Sequence, residues 1–204
     1  FNDKLLDLKQ ENQLLTKIQK ISHKVDAIII SDYGHGLISK SLISKIKKLK
    51  NTFVVNTQIN SANLGYHTIG KFYGYQYAII NEVELRHELR DRSSKIQDLI
   101  KLLSKKFNIS NLIVTAGKQG SYLYNKKSNK LIFCPALAVK IVDKVGAGDA
   151  MLSFFSLATA LNKNNPDFAL FLGSLAAAKN IETQANKYSI KKEDLLKSCY
   201  YFLK

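Results

Sequence analysis

Apolar residues recur along this chain in two alternating rhythms. Leu5, Leu8, Leu14, Leu15, Ile18 and Ile21 follow the three-and-four spacing of one helix face. The β-branched run in VDAIIISDYGHG, residues 25–36, reads as a strand ending in a glycine turn, after which Leu37, Ile38, Leu42, Ile46 and Leu49 restore the helical spacing. TFVVNT at 52–57 is a further strand. YQYAIINEVELRHEL at 75–89 runs from strand to helix, and IQDLIKLLSKKFNISNLIVTAG at 96–117 runs from helix to strand.

Such alternation predicts an α/β fold with a mostly parallel central sheet and helices on both faces. The rhythm changes in GSYLYNKKSNKLIFCPALAVKIV, residues 120–142, where short strands flank an Asn/Lys/Ser turn, so an antiparallel edge is expected there. From Ala147 onward the pattern is nearly all helical. No repeat or low-complexity linker interrupts the 204 residues, which read as a single domain. The chain opens on Phe1 and enters a helix with no leading strand, the look of a truncated N-terminus. Open α/β sheets bind ligands beyond the carboxyl ends of their strands. That singles out the loops at 32–36, 56–70, 81–84, 115–120 and 143–149.

Composition changes this picture little. An apolar content of 46% with 23% charged residues suits a globular chain. No apolar run reaches the roughly 18 residues of a membrane span, so a cytoplasmic protein without membrane contacts is expected. Cys134 and Cys199 have no metal-ligand spacing and read as reduced thiols. The net charge of +15 would favour nucleic acid, but only Arg86, Arg90 and Arg92 among the 31 basic residues are arginine. Base readout and bidentate phosphate clamps favour arginine, so scattered lysines point to a solvated surface that attracts small anions.

The chemistry is concentrated in KIVDKVGAGDAM, residues 140–151. Amides of Gly146, Ala147 and Gly148 lack side-chain cover, and a helix starting there adds partial positive charge, so an anion is the natural occupant. Asp149 in the first turn is held ionised by the dipole and can accept a proton from a hydroxyl. An anion cradle beside a base suits phosphoryl transfer to an alcohol. The residues by themselves equally allow a tight Gly-Ala-Gly turn with Asp149 as a helix cap.

DKVGAGDAM resembles the C-terminal signature of the ribokinase-like (PfkB) carbohydrate kinases, Asp, often Thr, any residue, then Gly-Ala-Gly-Asp. The resemblance implies Asp149 as the base that activates the acceptor hydroxyl and the 146–148 amides as its anion hole. Asp143 matches the first aspartate; Lys144 replaces the common Thr. IINEVEL resembles the family's Asn-x-x-Glu motif, implying Asn81 and Glu84 as organisers of Mg²⁺ and phosphate; Asn before Glu is also an ordinary helix start. IVTAGKQGSYLY resembles the segment near the nucleotide, which implies Thr115, Gly117 and Gly120 there, with Ala116 where Arg is frequent. SLAAAKNIETQANKYSI resembles the helix and loop beside adenine. There Asn186 stands where Gly is usual and Leu175 replaces a common polar residue.

SDYGHGLIS resembles the heptose-phosphate kinase branch and places Asp32 near the acceptor. Asn56-Thr57-Gln58 stands where that branch has Asp-Pro-Lys, and Asn56 and Gln58, with Asn60 and Asn63, offer amides to hydroxyls. The family's early strands and lid have no counterpart in the chain. The resemblance thus implies the C-terminal two-thirds of an ATP- and Mg²⁺-dependent kinase for a sugar or sugar phosphate, and allows a homodimer of the complete protein. A kinase for a nucleoside or vitamin-like alcohol, and a nucleotide-binding regulatory module without catalysis, are the alternatives.

Overall fold

The computed structural model of the chain describes residues 4–59, 67–183 and 189–202. Six strands are ordered β1-β2-β3-β4-β5-β6: β1 Ala27–Asp32, β2 Thr52–Thr57, β3 Tyr77–Asn81, β4 Asn111–Thr115, β5 Gly120–Asn125 and β6 Lys130–Pro135. Strands β1 to β4 are parallel, as alternation with helices requires. Antiparallel entry of β5 follows from two bonds at its ends. Ala116 N donates to Gly120 O at 2.8 Å, while Lys126 N donates to Ser110 O at 2.9 Å. A four-residue turn then returns the chain along β6, so the expected antiparallel edge is present.

The helices are α1 Leu8–Ser22, α2 Lys40–Ile46, α3 Glu82–Leu89, α4 Ile96–Lys106, α5 Ala147–Leu161, α6 Pro166–Ile181 and α7 Lys192–Phe202. The chain divides into two compact units, Phe1–Thr115 with Tyr124–Leu131, and Ala116–Leu123 with Ile132–Lys204.

In the first unit every residue of β2 is buried, as are Tyr77 to Ile80 of β3 and Asn111 to Val114 of β4. Consecutive buried residues mean that both faces of these strands are covered, since neighbouring side chains point to opposite sides. Helix α4 supplies one cover through Ile96, Leu99, Ile100 and Leu103, its predicted apolar stripe. Below the strands, Tyr75 meets Phe53 and Phe72 edge-on at centroid distances of 5.8 and 5.5 Å.

Helix α1 behaves differently from its pattern. Leu5, Leu8 and Ile21 are exposed, and the buried residue of α1 is Glu11. Its carboxylate accepts from Ser39 Oγ at 2.5 Å, Ser41 Oγ at 2.7 Å and Lys45 Nζ at 2.8 Å. Ser39 is also the N-cap of α2, accepting from Leu42 N. A carboxylate at a helix N-terminus, fed by two hydroxyls and an ammonium, therefore ties α1 to α2 where apolar packing does not.

In the second unit α5 packs on α6, and the approach is close at Gly173. A Cβ there would lie 3.1 Å from the carbonyl oxygen of Met151 and 3.2 Å from Phe155 Cβ. Buried Ser156 and Thr159 return their hydroxyls to the carbonyls of Leu152 and Phe155, which satisfies them within α5. Leu195 of α7 joins Leu175 and Ala176 of α6 in a small core. Leu175, the residue that replaces a common polar one in the family resemblance, is thus a packing residue. No helix among the described residues is long and apolar enough to cross a membrane.

Hydrogen bonds from Lys45, Ser39 and Ser41 pull the Glu11 carboxyl from its ordinary 4.5 down to about 2, against the opposing pull of burial. A carboxyl acidified in the folded state stabilises above its unfolded pKa and loses that effect as pH falls through the folded one. Glu11→Gln is therefore expected to lower the melting temperature by its full amount at pH 6, with the gap from wild type closing between pH 4.5 and pH 2. A gap that persists unchanged at pH 2.5 would remove Glu11 as an ionised clamp.

Candidate active site

The parallel register gathers the polar strand ends of the first unit. Asp32 lies beside Thr57, Ser31 beside Asn56, Asn56 beside Ile79, and Asn81 beside Thr115. Four of the expected site residues, Asp32, Asn56, Asn81 and Thr115, thus share one edge of the sheet. They do so because each closes a β-branched run, and parallel strands point their carboxyl ends the same way.

Asn81 and Glu84 form a reciprocal cap on α3. Glu84 N donates to Asn81 Oδ1 and Asn81 N donates to Glu84 Oε2, both at 2.8 Å. The other carboxylate oxygen, Oε1, accepts from Ile59 N at 3.1 Å. Glu84 is 6% exposed, and burial pushes its carboxyl above the ordinary carboxylate range while the bonds from Asn81 and Ile59 oppose that rise. The raised pKa means that this group favours the folded state most at low pH and less as pH climbs through its folded pKa. The motif is therefore both a helix start and a tether for the strand-end segment after β2.

Asn56 donates through Nδ2 to Ile79 O at 2.8 Å and is 9% exposed. Its Oδ1 is buried and has no hydrogen-bond partner among the described residues. Gln58 N donates to the Asp32 carbonyl at 3.1 Å. Asn60, Asn63 and Asn186 lie outside the described residues. Sequence reasoning missed two side chains at this edge. His67 is buried with Nε2 2.8 Å from the Asp32 carbonyl oxygen, and Lys71 forms an ion pair with Asp32. A His and a Lys more than thirty residues after the aspartate leave no local signal of that meeting.

In the second unit the segment before α5 is pinned by Val142 N and Asp143 N, which both donate to Ile181 O, at 2.8 and 3.2 Å. Asp143 then closes a short turn by accepting from Val145 N at 3.0 Å. Gly146 has φ 81°, left-handed backbone that glycine adopts without a Cβ penalty, and it is the N-cap of α5. Ala150 N makes a 2.9 Å bond to Gly146 O. The amides before it have no acceptor within the helix ladder. Of the three expected in an anion hole, the Ala147 amide is turned toward Lys144 O at 3.4 Å. Gly148 is exposed, and a Cβ placed on it would meet nothing within 4 Å. Asp149 follows in the first helical turn, on the exposed side. The arrangement leaves room for an anion at a positive helix end with a carboxylate one residue away.

The two glycines of the 115–120 turn have different causes. Gly120, at φ 126°, faces the β6 backbone so closely that a Cβ would lie 2.1 Å from Cys134 O. Gly117, at φ 55°, faces open space. Gly117→Ala should therefore cost about 1 kcal/mol, the left-handed penalty alone. Gly120→Ala should cost more than about 3 kcal/mol, since φ 126° with ψ −139° is backbone that hardly any residue but glycine adopts and the Cβ also clashes with the β6 backbone. Equal losses by urea unfolding would contradict this division.

The sequence profile of the pfkB family carbohydrate kinases matches residues 9–193. The chain is 27% identical over 184 residues to the bifunctional protein HldE of Helicobacter acinonychis, a match covering 84% of this chain and 37% of that protein. It is 25% identical over 179 residues to the HldE of Campylobacter fetus, covering 86% and 38%. The chain thus spans little more than a third of the length of these curated relatives. Among solved structures it is similar to phosphofructokinase-2 from Escherichia coli in complex with potassium, with TM-score 0.81, 18% identity and coverage of 98% of this chain and 64% of the other. Ribokinase from Arabidopsis thaliana complexed with ribose and ATP gives TM-score 0.73 at 16% identity, covering 96% and 60%. These two likenesses are of fold. The fold is ribokinase-like, and with the family profile matched over most of its length, the chain belongs to the pfkB family of carbohydrate kinases.

Proposed function

We propose that this chain carries the nucleotide side and part of the acceptor side of a cytoplasmic kinase that phosphorylates a hydroxyl of a sugar or sugar phosphate. The observation that carries the reading is the start of α5. There Gly146, Gly148 and Asp149 combine a left-handed cap, an exposed glycine with open space at its Cβ position and a carboxylate at one helix N-terminus. Asp149 takes the proton from the acceptor hydroxyl as that oxygen becomes a nucleophile. The amides at 146 and 148, with the helix dipole, stabilise negative charge on the transferring group. Bound ATP with Mg²⁺ supplies the phosphoryl group and neutralises its charge.

The residues present fit these groups unequally. The open space beside Gly148 fits a phosphate oxygen. Glu84 fits Mg²⁺ only through water, because both of its oxygens already accept backbone amides. No cluster of three His, Cys, Asp or Glu that could cage a metal occurs among the described residues. That is the usual situation for Mg²⁺, which keeps most of its water and binds chiefly to substrate phosphates. Glu84 and Asn81 thus hold the edge of the sheet in place and would order solvent around a bound metal. The family resemblance supports a nucleotide-binding role for Thr115, which lies beside Asn81, and likewise for Gly117, Gly120 and Asn186, the last outside the described residues. Two cysteines without a disulfide suit a cytoplasmic protein. The resemblance of the SDYGHG loop to the heptose-phosphate kinase branch makes a heptose phosphate the first acceptor to test, and the reading allows a homodimer of the complete protein.

Asp149→Asn keeps the shape of the site and removes the base. In the protein encoded by the full reading frame it is expected to lower kcat by about 10³-fold or more, with ATP affinity changed only a few-fold. Near-normal turnover would end the base assignment.

Glu84→Gln replaces one accepting oxygen with an amide nitrogen and removes the charge. The Mg²⁺ concentration for half-maximal rate should rise several-fold, since a neutral amide holds the metal's water shell less well. An unchanged Mg²⁺ titration accompanied by a lower melting temperature would confine Glu84 to the helix cap.

A further inference from the structure

The carboxyl end of β1 holds a buried ion pair that the reading above leaves without a role. Asp32 is 3% exposed and the Lys71 side chain 18%. Each oxygen of Asp32 is engaged inside the protein. Oδ1 accepts from Gly34 N at 2.9 Å, Oδ2 pairs with the Lys71 ammonium, and the carbonyl takes Gln58 N and His67 Nε2. In the last contact the carbonyl oxygen can only accept, so His67 Nε2 is the donor. The packing is tight as well: a Cβ on Gly34, at φ 78°, would lie 2.8 Å from His67 Cγ. Asp32 therefore joins the end of β1 to residues 34, 58, 67 and 71.

Lys71 differs. Its ammonium has three N–H groups. Among the described residues two acceptors are present, Asp32 Oδ2 and the Ile38 carbonyl at 3.2 Å, while the Phe72 ring lies 5.5 Å away. A buried ion pair is a poor stabilising device, because desolvating both charges offsets their attraction and apolar residues would serve packing as well. The pair lies at the carboxyl end of a parallel strand, where open α/β sheets bind ligands. We propose that Lys71 is an acceptor-binding residue. It donates its third N–H to a hydroxyl oxygen of the sugar, with Asp32 and His67 as positioning residues that fix its direction. Asp32 neutralises the ammonium, so the pair suits an uncharged hydroxyl rather than the phosphate of a sugar phosphate. This assignment rests on the kinase reading above and deepens its acceptor side.

The test separates binding from folding. In the full-length protein, Lys71→Met leaves Asp32 buried without a partner, whereas the double change Asp32→Asn with Lys71→Met removes both charges. Calorimetry with fructose, fructose 6-phosphate, a heptose and a phosphate of it, and separately with ATP, is paired with melting curves. Lys71→Met should lower the melting temperature and weaken sugar binding at least tenfold, equally for a sugar and its phosphate. The double variant should recover a melting temperature close to wild type while sugar binding stays at least tenfold weaker, with ATP affinity within twofold throughout. Recovery of sugar affinity together with the melting temperature would make the pair merely structural and overturn the proposal. So would a loss confined to the phosphorylated sugars, a parallel loss of ATP affinity, or no binding of any of the four by the wild type at millimolar concentration. The expected binding pattern without phosphoryl transfer by the wild type would sink the kinase reading alone.

Discussion

Parallel strands buried on both faces can carry polar side chains without a desolvation penalty only near their ends, and this constraint organises the first unit. β2, β3 and β4 are apolar through their middles and become polar at Asn56, Asn81 and Thr115. Parallel pairing brings those ends to one edge in fixed register. The edge then has to satisfy its buried polar groups, because an unpaired one is costly. Glu84 takes the amides of Asn81 and Ile59, and Asp32 takes those of Gly34 and Gln58 together with His67 and Lys71. The Asp32 carbonyl on β1 and the Glu84 carboxylate at the start of α3 thereby anchor the chain that leaves β2.

The second unit meets a different demand, a helix N-terminus kept open. Helix α5 is buried along Met151, Leu152, Phe155 and Ala158 and packs close to α6 at Gly173, which makes it rigid enough to hold its first turn in place. The bonds from Val142 and Asp143 to Ile181 O fasten the preceding segment to the end of α6. Gly146 turns the backbone through the left-handed region, so that the amides and Asp149 follow within one turn. A small residue at 148 then leaves space beside the positive end of the dipole. Packing, cap and open space are three parts of one arrangement, and each is useful only with the others.

Glycine illustrates how the same residue type answers to different causes. Gly120 is required by the nearness of the β6 backbone and Gly146 by its left-handed φ, whereas a Cβ on Gly148 would meet none of the described residues beyond its own helix turn. The last is the informative case for function, since neither strain nor crowding accounts for it.

The strand and helix order, the parallel sheet with an antiparallel edge, and the Gly-Ala-Gly-Asp loop at a helix start were legible in the sequence. Each depends on neighbours within a few positions: side-chain periodicity, glycine placement and the residues that cap helices. The Asn81 and Glu84 cap was legible for the same reason. Several other features were decided by the tertiary structure. Helix α1 is tied down by Glu11 against Ser39, Ser41 and Lys45 while much of its leucine and isoleucine stripe stays exposed. Leu175 is a core residue, and Asp32 is enclosed by His67 and Lys71. These contacts join positions about thirty or more apart in the chain, or twenty for Leu175 and Leu195. A carboxylate's partner at that distance is chosen by how strands and helices pack, which local periodicity does not encode.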